Sequence, residues 1–110
     1  FIGNIYNRPS ILDGSIESMV NQANEYLSKG VFGVDLLAYR FVGNVEELIK
    51  RLSAEVNGPI CIAGSINSYA QLDFIKSCSP WAFTIGSGFF DNKFSGTFLE
   101  QIDKVYNYMK

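Results

Sequence analysis

Four apolar runs alternate with four amphipathic stretches along the 110 residues, and this alternation restricts the fold more than any other feature. Apolar runs bounded by turn residues are typical of buried strands, and apolar residues at i, i+3 and i+4 are typical of helices. Strands that alternate with helices form βαβ units and pair in parallel. The predicted strands span Phe1–Asn7, Val31–Tyr39, Pro59–Ala63 and Trp81–Ile85. We therefore predict an α/β protein.

Capping residues mark the start of each predicted helix. The predicted N-terminal signals are Ser15 or Asp13, Asn44 with Glu47, Ser68 with Gln71, and Thr97 with Glu100. Each helix then carries one apolar stripe, and in the last helix this stripe consists of Phe98, Ile102, Val105 and Met109. No linker interrupts the pattern, so residues 1–110 are predicted to form a single unit.

The length of the repeat suggests a specific architecture. Four units of roughly 27 residues match the strand-helix units of a (β/α)8 barrel, which needs about 250 residues in full. We therefore expect four consecutive βα units with parallel strands, forming the C-terminal half of a TIM barrel. Because the first residues already look like a strand, we also expect sequence before Phe1. An open, flavodoxin-like doubly wound sheet fits the same pattern and is the alternative.

Composition excludes several classes of function. The net charge is −2 and the basic residues are scattered, whereas nucleic-acid binding needs them clustered. The chain has no histidine, which excludes histidine-dependent triads and metal sites, and its two cysteines form no CxxC motif. No apolar run approaches the ~20 residues of a membrane span, and no signal peptide is recognisable. We expect a cytoplasmic protein without metal or other cofactor. A half-barrel would expose its sheet, so we expect self-association or an N-terminal half-barrel as a partner.

Two glycine-serine loops follow the third and fourth predicted strands. They are Gly64-Ser65-Ile66 and Gly86-Ser87-Gly88. Glycine lets backbone N–H groups approach an anion, a serine hydroxyl donates a further hydrogen bond, and a helix N-terminus adds favourable partial charge. Ligands of parallel α/β folds bind at this end of the strands. The two loops together predict a phosphate site, although each could also be a simple strand-to-helix turn.

These two loops with their strands resemble the phosphate-binding (β/α)8 barrels. The similar segments are Ile62-Ala63-Gly64-Ser65-Ile66 and Phe83-Thr84-Ile85-Gly86-Ser87-Gly88-Phe89-Phe90, within about residues 58 to 98. This group includes sugar-phosphate and N-acetylmannosamine-6-phosphate epimerases and the histidine- and tryptophan-pathway barrel enzymes. The resemblance implies phosphate contacts from Gly64, Ser65, Gly86 and Ser87. The group typically has two glycines where this chain has Ala63-Gly64.

Asp35 is the candidate acid or base. Its apolar neighbours Val34 and Leu36 should remove water from the carboxylate, which favours proton transfer; a purely structural carboxylate is the alternative. In a continuous strand, Asp35 and Tyr39 face one side and Arg40 the other.

Arg40 and Arg8 end predicted strands and are candidates to hold a substrate carboxylate or phosphate, or else form surface salt bridges. Tyr6 is a candidate proton donor, and Asn7 and Tyr39 are candidates for substrate contacts at the barrel mouth.

The sequence thus predicts an enzyme acting on a small phosphorylated metabolite. Isomerisation, epimerisation or lyase cleavage by proton transfer would suit these residues. A Schiff-base mechanism would need a strand lysine, and none of the lysines lies in a predicted strand. The alternative is a non-catalytic, phosphometabolite-binding or regulatory barrel.

Overall fold

A computed structural model describes residues 1–7 and 11–110, and its centre is a parallel three-stranded sheet with helices packed on one face. The elements in chain order are β1 (Asn4–Tyr6), β2 (Ile11–Asp13), α1 (Ile16–Ser28), β3 (Val34–Leu36), a 3₁₀ turn (Ala38–Arg40), α2 (Val45–Glu55), β4 (Ile60–Ile62), α3 (Tyr69–Cys78), β5 (Ala82–Phe83), α4 (Ser87–Phe90) and α5 (Phe98–Met109). The predicted mixed α/β class is confirmed. The described residues do not establish four βα units or a half-barrel.

The parallel sheet has the order β3-β4-β5. Asp35 lies beside Cys61, and Cys61 lies beside Ala82, so these three residues form one row across the strands. Alternate residues of β3 and β4 are buried in the core, namely Val34, Leu36, Ile60 and Ile62. Because neighbouring residues in a strand point to opposite faces, Asp35, Cys61 and Ala82 lie on the face away from the core. We call this the open face of the sheet.

The helices pack on the other face through the predicted apolar stripes. In α2 the buried residues are Leu48, Ile49 and Leu52, and in α3 they are Leu72 and Ile75. These side chains belong to one core cluster with the buried strand residues. The predicted caps are also confirmed, since Ser15, Asn44, Ser68 and Thr97 each accept a hydrogen bond from the first turn of their helix. Local sequence signals therefore position all four long helices.

The first predicted unit differs from the structure. We expected a parallel strand at Phe1–Asn7, but β1 pairs antiparallel with β2 as a separate two-stranded sheet. Ile11–Asp13 is short enough to be overlooked, and an adjacent segment can pair locally without a crossover helix. A parallel bridge between Leu12 and Phe41, with the Val42 N–H donating to the Leu12 carbonyl at 3.1 Å, joins this hairpin to the rest of the chain.

The second predicted strand is shorter than expected. β3 ends at Leu36, and Ala38–Arg40 forms the 3₁₀ turn. The strand alternation that would send Asp35 and Tyr39 to one side and Arg40 to the other therefore does not extend past Leu37. Within the described residues, no helix is long and apolar enough to cross a membrane.

Candidate functional site

The structure brings the two glycine loops into direct contact. Gly88 packs so closely on the first loop that a Cβ atom there would lie 2.5 Å from the Ile66 carbonyl oxygen. The loops follow adjacent strands, because the Ala63 N–H donates to the Leu36 carbonyl and the Thr84 N–H to the Ile62 carbonyl, both at 2.9 Å. A Cβ atom at Gly86 would meet no atom of the described residues within 4 Å, apart from those of its chain neighbours. The space beside Gly86 is therefore open to a ligand.

Arg40 lies beside the first loop. A Cβ atom on Gly64 would be 3.4 Å from Arg40 Cγ and 3.9 Å from Arg40 Nε. This position follows from the 3₁₀ turn, which takes Arg40 out of the strand register and places it at the carboxyl-terminal edge of the sheet. The structure therefore brings Arg40 together with Gly64. A guanidinium at this distance can contribute planar, charge-assisted hydrogen bonds to an anion.

The backbone of the first loop has an unusual conformation. Gly64 and Ser65 are both left-handed, with φ of 83° and 58°. For Ser65 this conformation costs about 1–2 kcal/mol, so surrounding contacts must hold it in place. The side chain of Gln71 does so: its Nε2 donates to the Ser65 carbonyl at 3.1 Å, and its Oε1 accepts from Asn67 N–H at 2.6 Å. Gln71 therefore fixes the shape of the loop.

A second glutamine holds the segment after α4. Gln101 is only 2% exposed, its Oε1 accepts from the Phe94 N–H at 3.1 Å, and its Nε2 donates to the Phe89 carbonyl at 2.9 Å. Phe94 is buried and packs against Phe89 with ring centroids 5.6 Å apart. Gln71 thus holds the first glycine loop, and Gln101 holds the segment between α4 and α5.

Asp35 lies on the open face, and its environment differs from our expectation. The side chain is exposed rather than desolvated, because the core covers only the opposite face of the sheet. Its neighbour Cys61 is half-buried, and burial together with the charge and hydrogen bonding of Asp35 raises the pKa of the Cys61 thiol. Because a raised pKa disfavours the thiolate, Cys61 is a poor nucleophile.

The position of Asp35 along the sheet sets its distance from the loops. Gly64 follows Cys61 by three residues and lies beyond the end of β4, so at about 3.3 Å per extended residue it is at most about 10 Å farther along the strand direction. A shallow cavity of about 290 Å³ borders Asp35 on its other side, where it is lined by Cys61, Trp81 and Phe1 at the amino-terminal edge. Asp35 therefore stands between this cavity and the glycine loops.

Tyr39 is placed among the helices. Its ring packs against the core, and its hydroxyl is 3.5 Å from the Gln71 carbonyl in α3. Burial, reinforced by Cys78 and Glu46, raises the pKa of Tyr39 to about 12. This tyrosine contributes to packing between α2 and α3, and the sequence alone did not indicate that contact.

The other candidates are less closely connected to the loops. Tyr6 and Asn7 lie at the end of β1, and neither hydrogen-bonds to a glycine loop in the part of the chain that the structure describes. Arg8 lies outside the described residues, so its predicted role stays a prediction. Ser87 opens α4, but the structure does not describe its side chain. No group of three His, Cys, Asp or Glu side chains suited to a metal ion occurs among residues 1–7 and 11–110.

Gln71 and Gln101 are the site residues that sequence reasoning missed. The pattern showed Gln71 only as part of a capping box, and its bond to Ser65 depends on the folded loop. Gln101 had a detectable signal, since it lies four residues before buried Val105 on the same helical face. A polar residue in a buried position usually has hydrogen-bond partners to satisfy.

What the assembled groups can do is bind an anion. Two touching backbone loops, an open space beside Gly86 and the Arg40 side chain lie at one edge of the sheet. In comparisons with known proteins, no family model, curated protein or solved structure matches the chain.

Proposed function

We propose that this chain binds the phosphate group of a small phosphorylated metabolite at the two glycine loops. The observation that carries the proposal is the contact between Gly88 and the Ile66 carbonyl, which joins both loops beside open space. Gly64, Ser65, Gly86 and Ser87 would contribute backbone or hydroxyl donors, and Arg40 would contribute positive charge. Backbone N–H groups together with a guanidinium are the groups that proteins use for phosphate.

We further propose that the bound metabolite undergoes isomerisation, epimerisation or lyase cleavage by proton transfer. Asp35 supports this role, because it is an exposed carboxylate on the open face, at most about 10 Å from Gly64 along the strand direction. A phosphorylated metabolite that lies along the open face could reach both groups. Tyr6, Asn7 and Arg8 are retained as candidates from the hairpin side, with Tyr39 limited to positioning through packing.

A non-catalytic phosphometabolite-binding protein is the second candidate function. One observation favours it: the described parts of β3, β4 and β5 carry a single carboxylate, Asp35, whereas proton-transfer enzymes usually place an acid and a base around the substrate. The Asp35→Asn variant separates the two functions once a substrate is found. An enzyme would lose turnover and retain phosphate affinity, while full activity in the variant would remove Asp35 from the mechanism.

The primary experiment measures ligand binding. The purified chain is screened by thermal shift against inorganic phosphate, sugar phosphates and their unphosphorylated counterparts. A ligand at about 100 times its Kd should stabilise the folded state by about 2.7 kcal/mol. Selective stabilisation by phosphorylated compounds is expected.

The Arg40→Gln variant tests the site, with Arg51→Gln as the matched control. Arg51 is a cation on α2 that pairs with Glu55 instead of a loop. We expect Arg40→Gln to weaken phosphate binding about tenfold or more, and Arg51→Gln to leave it unchanged. Equal loss in both variants would point to general charge attraction, and a folded wild-type chain that binds none of the phosphates would reject the proposed function.

A further inference from the structure

Two helices of the described chain begin with a capping box, and the boxes differ in the third helical residue, which carries an amide in one and a carboxylate in the other. Ser68 with Gln71 opens α3, and Thr97 with Glu100 opens α5. In both, the third helical residue accepts a hydrogen bond from the N-cap N–H, at 3.2 Å for Gln71 and 3.0 Å for Glu100. A carboxylate therefore suffices for a capping box in this protein. The amide of Gln71 provides a donor that capping does not require.

That extra donor is used on the first glycine loop. Nε2 of Gln71 donates to the Ser65 carbonyl at 3.1 Å, while Oε1 accepts from the N–H groups of Asn67 and Ser68. Only an amide can accept and donate in this way at once, because an ionised carboxylate has no proton to give. Gln71 thus links the left-handed Ser65 to the first turn of α3.

Anchoring the Ser65 carbonyl also orients the next N–H group. The carbonyl of Ser65 and the N–H of Ile66 belong to one planar trans peptide and point in opposite directions. Since the carbonyl points to Gln71, the Ile66 N–H points away from it. Ile66 is only 2% exposed, and its N–H has no acceptor among the residues that the structure describes. Buried N–H groups are almost always paired, so this donor is suited to a ligand.

We propose that Gln71 is a positioning residue for the phosphate site, and that the group it positions is the Ile66 N–H. This inference rests on the proposed function, since it names a donor within the same site. Gln71 touches no ligand itself. It holds the Ser65–Ile66 peptide so that the N–H is directed at the phosphate, and Arg40 approaches the same loop from the side of Gly64.

The test is the Gln71→Glu variant, with Glu100→Gln as its matched control. Glutamate at position 71 retains the acceptor of the capping box and removes the donor to Ser65. We expect the variant to fold with a lowered unfolding midpoint, because the Ser65 carbonyl loses its donor, and to bind inorganic phosphate about tenfold or more weakly at neutral pH. Glu100→Gln should leave phosphate affinity unchanged. Titration calorimetry gives the affinities, and amide exchange of Ile66 in the free protein should be faster in Gln71→Glu.

A pH series distinguishes positioning from simple loss of structure. Protonating the new carboxyl group, below its usual pKa of about 4.3, restores a donor towards Ser65 and removes the negative charge. The ratio of variant to wild-type affinity should therefore recover as the pH falls. If wild type and Gln71→Glu bind phosphate equally, this inference is wrong and the proposed function stands. A weak variant whose ratio does not recover also overturns it, and a wild type that binds no phosphate overturns both proposals.

Discussion

Gly86 and Gly88 are two positions apart and have different surroundings. Among the described side chains and backbone beyond its neighbours, nothing would lie within 4 Å of a Cβ atom at Gly86. A Cβ atom at Gly88 would lie 2.5 Å from the Ile66 carbonyl oxygen and 3.1 Å from Ile85 Cγ2. Neither glycine is among the described residues with positive φ. At Gly86, glycine keeps space open, and at Gly88 it lets two loops touch. Substitution by alanine should therefore have different effects at the two positions.

We expect Gly86→Ala to lower phosphate affinity about tenfold and to leave stability within about 0.5 kcal/mol of wild type, because its methyl group occupies only the open space. Gly88→Ala should instead destabilise the fold by about 1–3 kcal/mol, since a backbone oxygen must move. Urea denaturation and phosphate titration measure the two quantities. Unchanged affinity in Gly86→Ala would place the ligand elsewhere.

At the scale of elements, the buried face of α5 differs from the predicted one and includes a polar residue, Gln101. We predicted an apolar stripe of Phe98, Ile102, Val105 and Met109, but Phe98 is 45% and Ile102 is 37% exposed. The buried positions are Gln101 and Val105, so the buried face is rotated relative to the predicted stripe. On this buried face, Gln101 hydrogen-bonds to the segment between α4 and α5.

The Gln101→Ala variant should be destabilised by about 1–3 kcal/mol, because it leaves the buried Phe94 N–H without its acceptor and removes one of the donors to the Phe89 carbonyl. Asn107→Ala is the control, since Asn107 lies on the exposed side of the same helix. Chemical denaturation followed by circular dichroism compares the two. Equal stability of both variants would show that Gln101 does not anchor this segment.

The elements differ in how far the sequence predicts them. Helix starts at Ser15, Asn44, Ser68 and Thr97 were predictable because a cap is formed by residues three positions apart. Strand ends were not, since the apolar run continues past Leu36 although β3 ends there and a 3₁₀ turn follows at Ala38–Arg40. The β1–β2 pairing was missed for the same reason, as it depends on contacts between segments.

The candidate site was predictable to a similar extent. Both glycine loops were found because strand-to-helix turns carry a local composition, and parallel strands end at one edge of a sheet. The proximity of Arg40 to Gly64 was not predictable, because it depends on the 3₁₀ turn. The exposure of Asp35 likewise depends on which face of the sheet the helices cover.

At the scale of the whole molecule, the raised pKa of Tyr39 makes the free energy of unfolding depend on pH in the alkaline range. Burial and nearby Cys78 and Glu46 raise its pKa from 10.0 to about 12, so the folded state retains the proton longer than the unfolded chain. Between these values the unfolded state binds fewer protons, and stability falls as the pH rises. This contribution is fully present below pH 10.0 and is lost as the pH rises towards about 12.

We therefore expect the Tyr39→Phe variant to lose less stability than wild type between about pH 9 and about pH 11, because phenylalanine has no proton to release. Tyr26→Phe is the control, since Tyr26 is 41% exposed on α1. Urea midpoints at both pH values give the comparison. If wild type and Tyr39→Phe lose the same stability between the two pH values, the Tyr39 hydroxyl does not cause the pH dependence.

The hydrogen bonds of Gln71 and Gln101 are local in sequence, so the candidate site is built from separate short segments. The bonds of Gln71 reach from Ser65 to Ser68, and those of Gln101 reach from Phe89 to Thr97, so each set of bonds lies within one short stretch of sequence. Local hydrogen bonds thus fix the first glycine loop and the segment that follows the second one, and the sheet holds the two side by side. Such segments could be exchanged between scaffolds as cassettes, with residues 64–71 and 86–101 as the pieces to transplant.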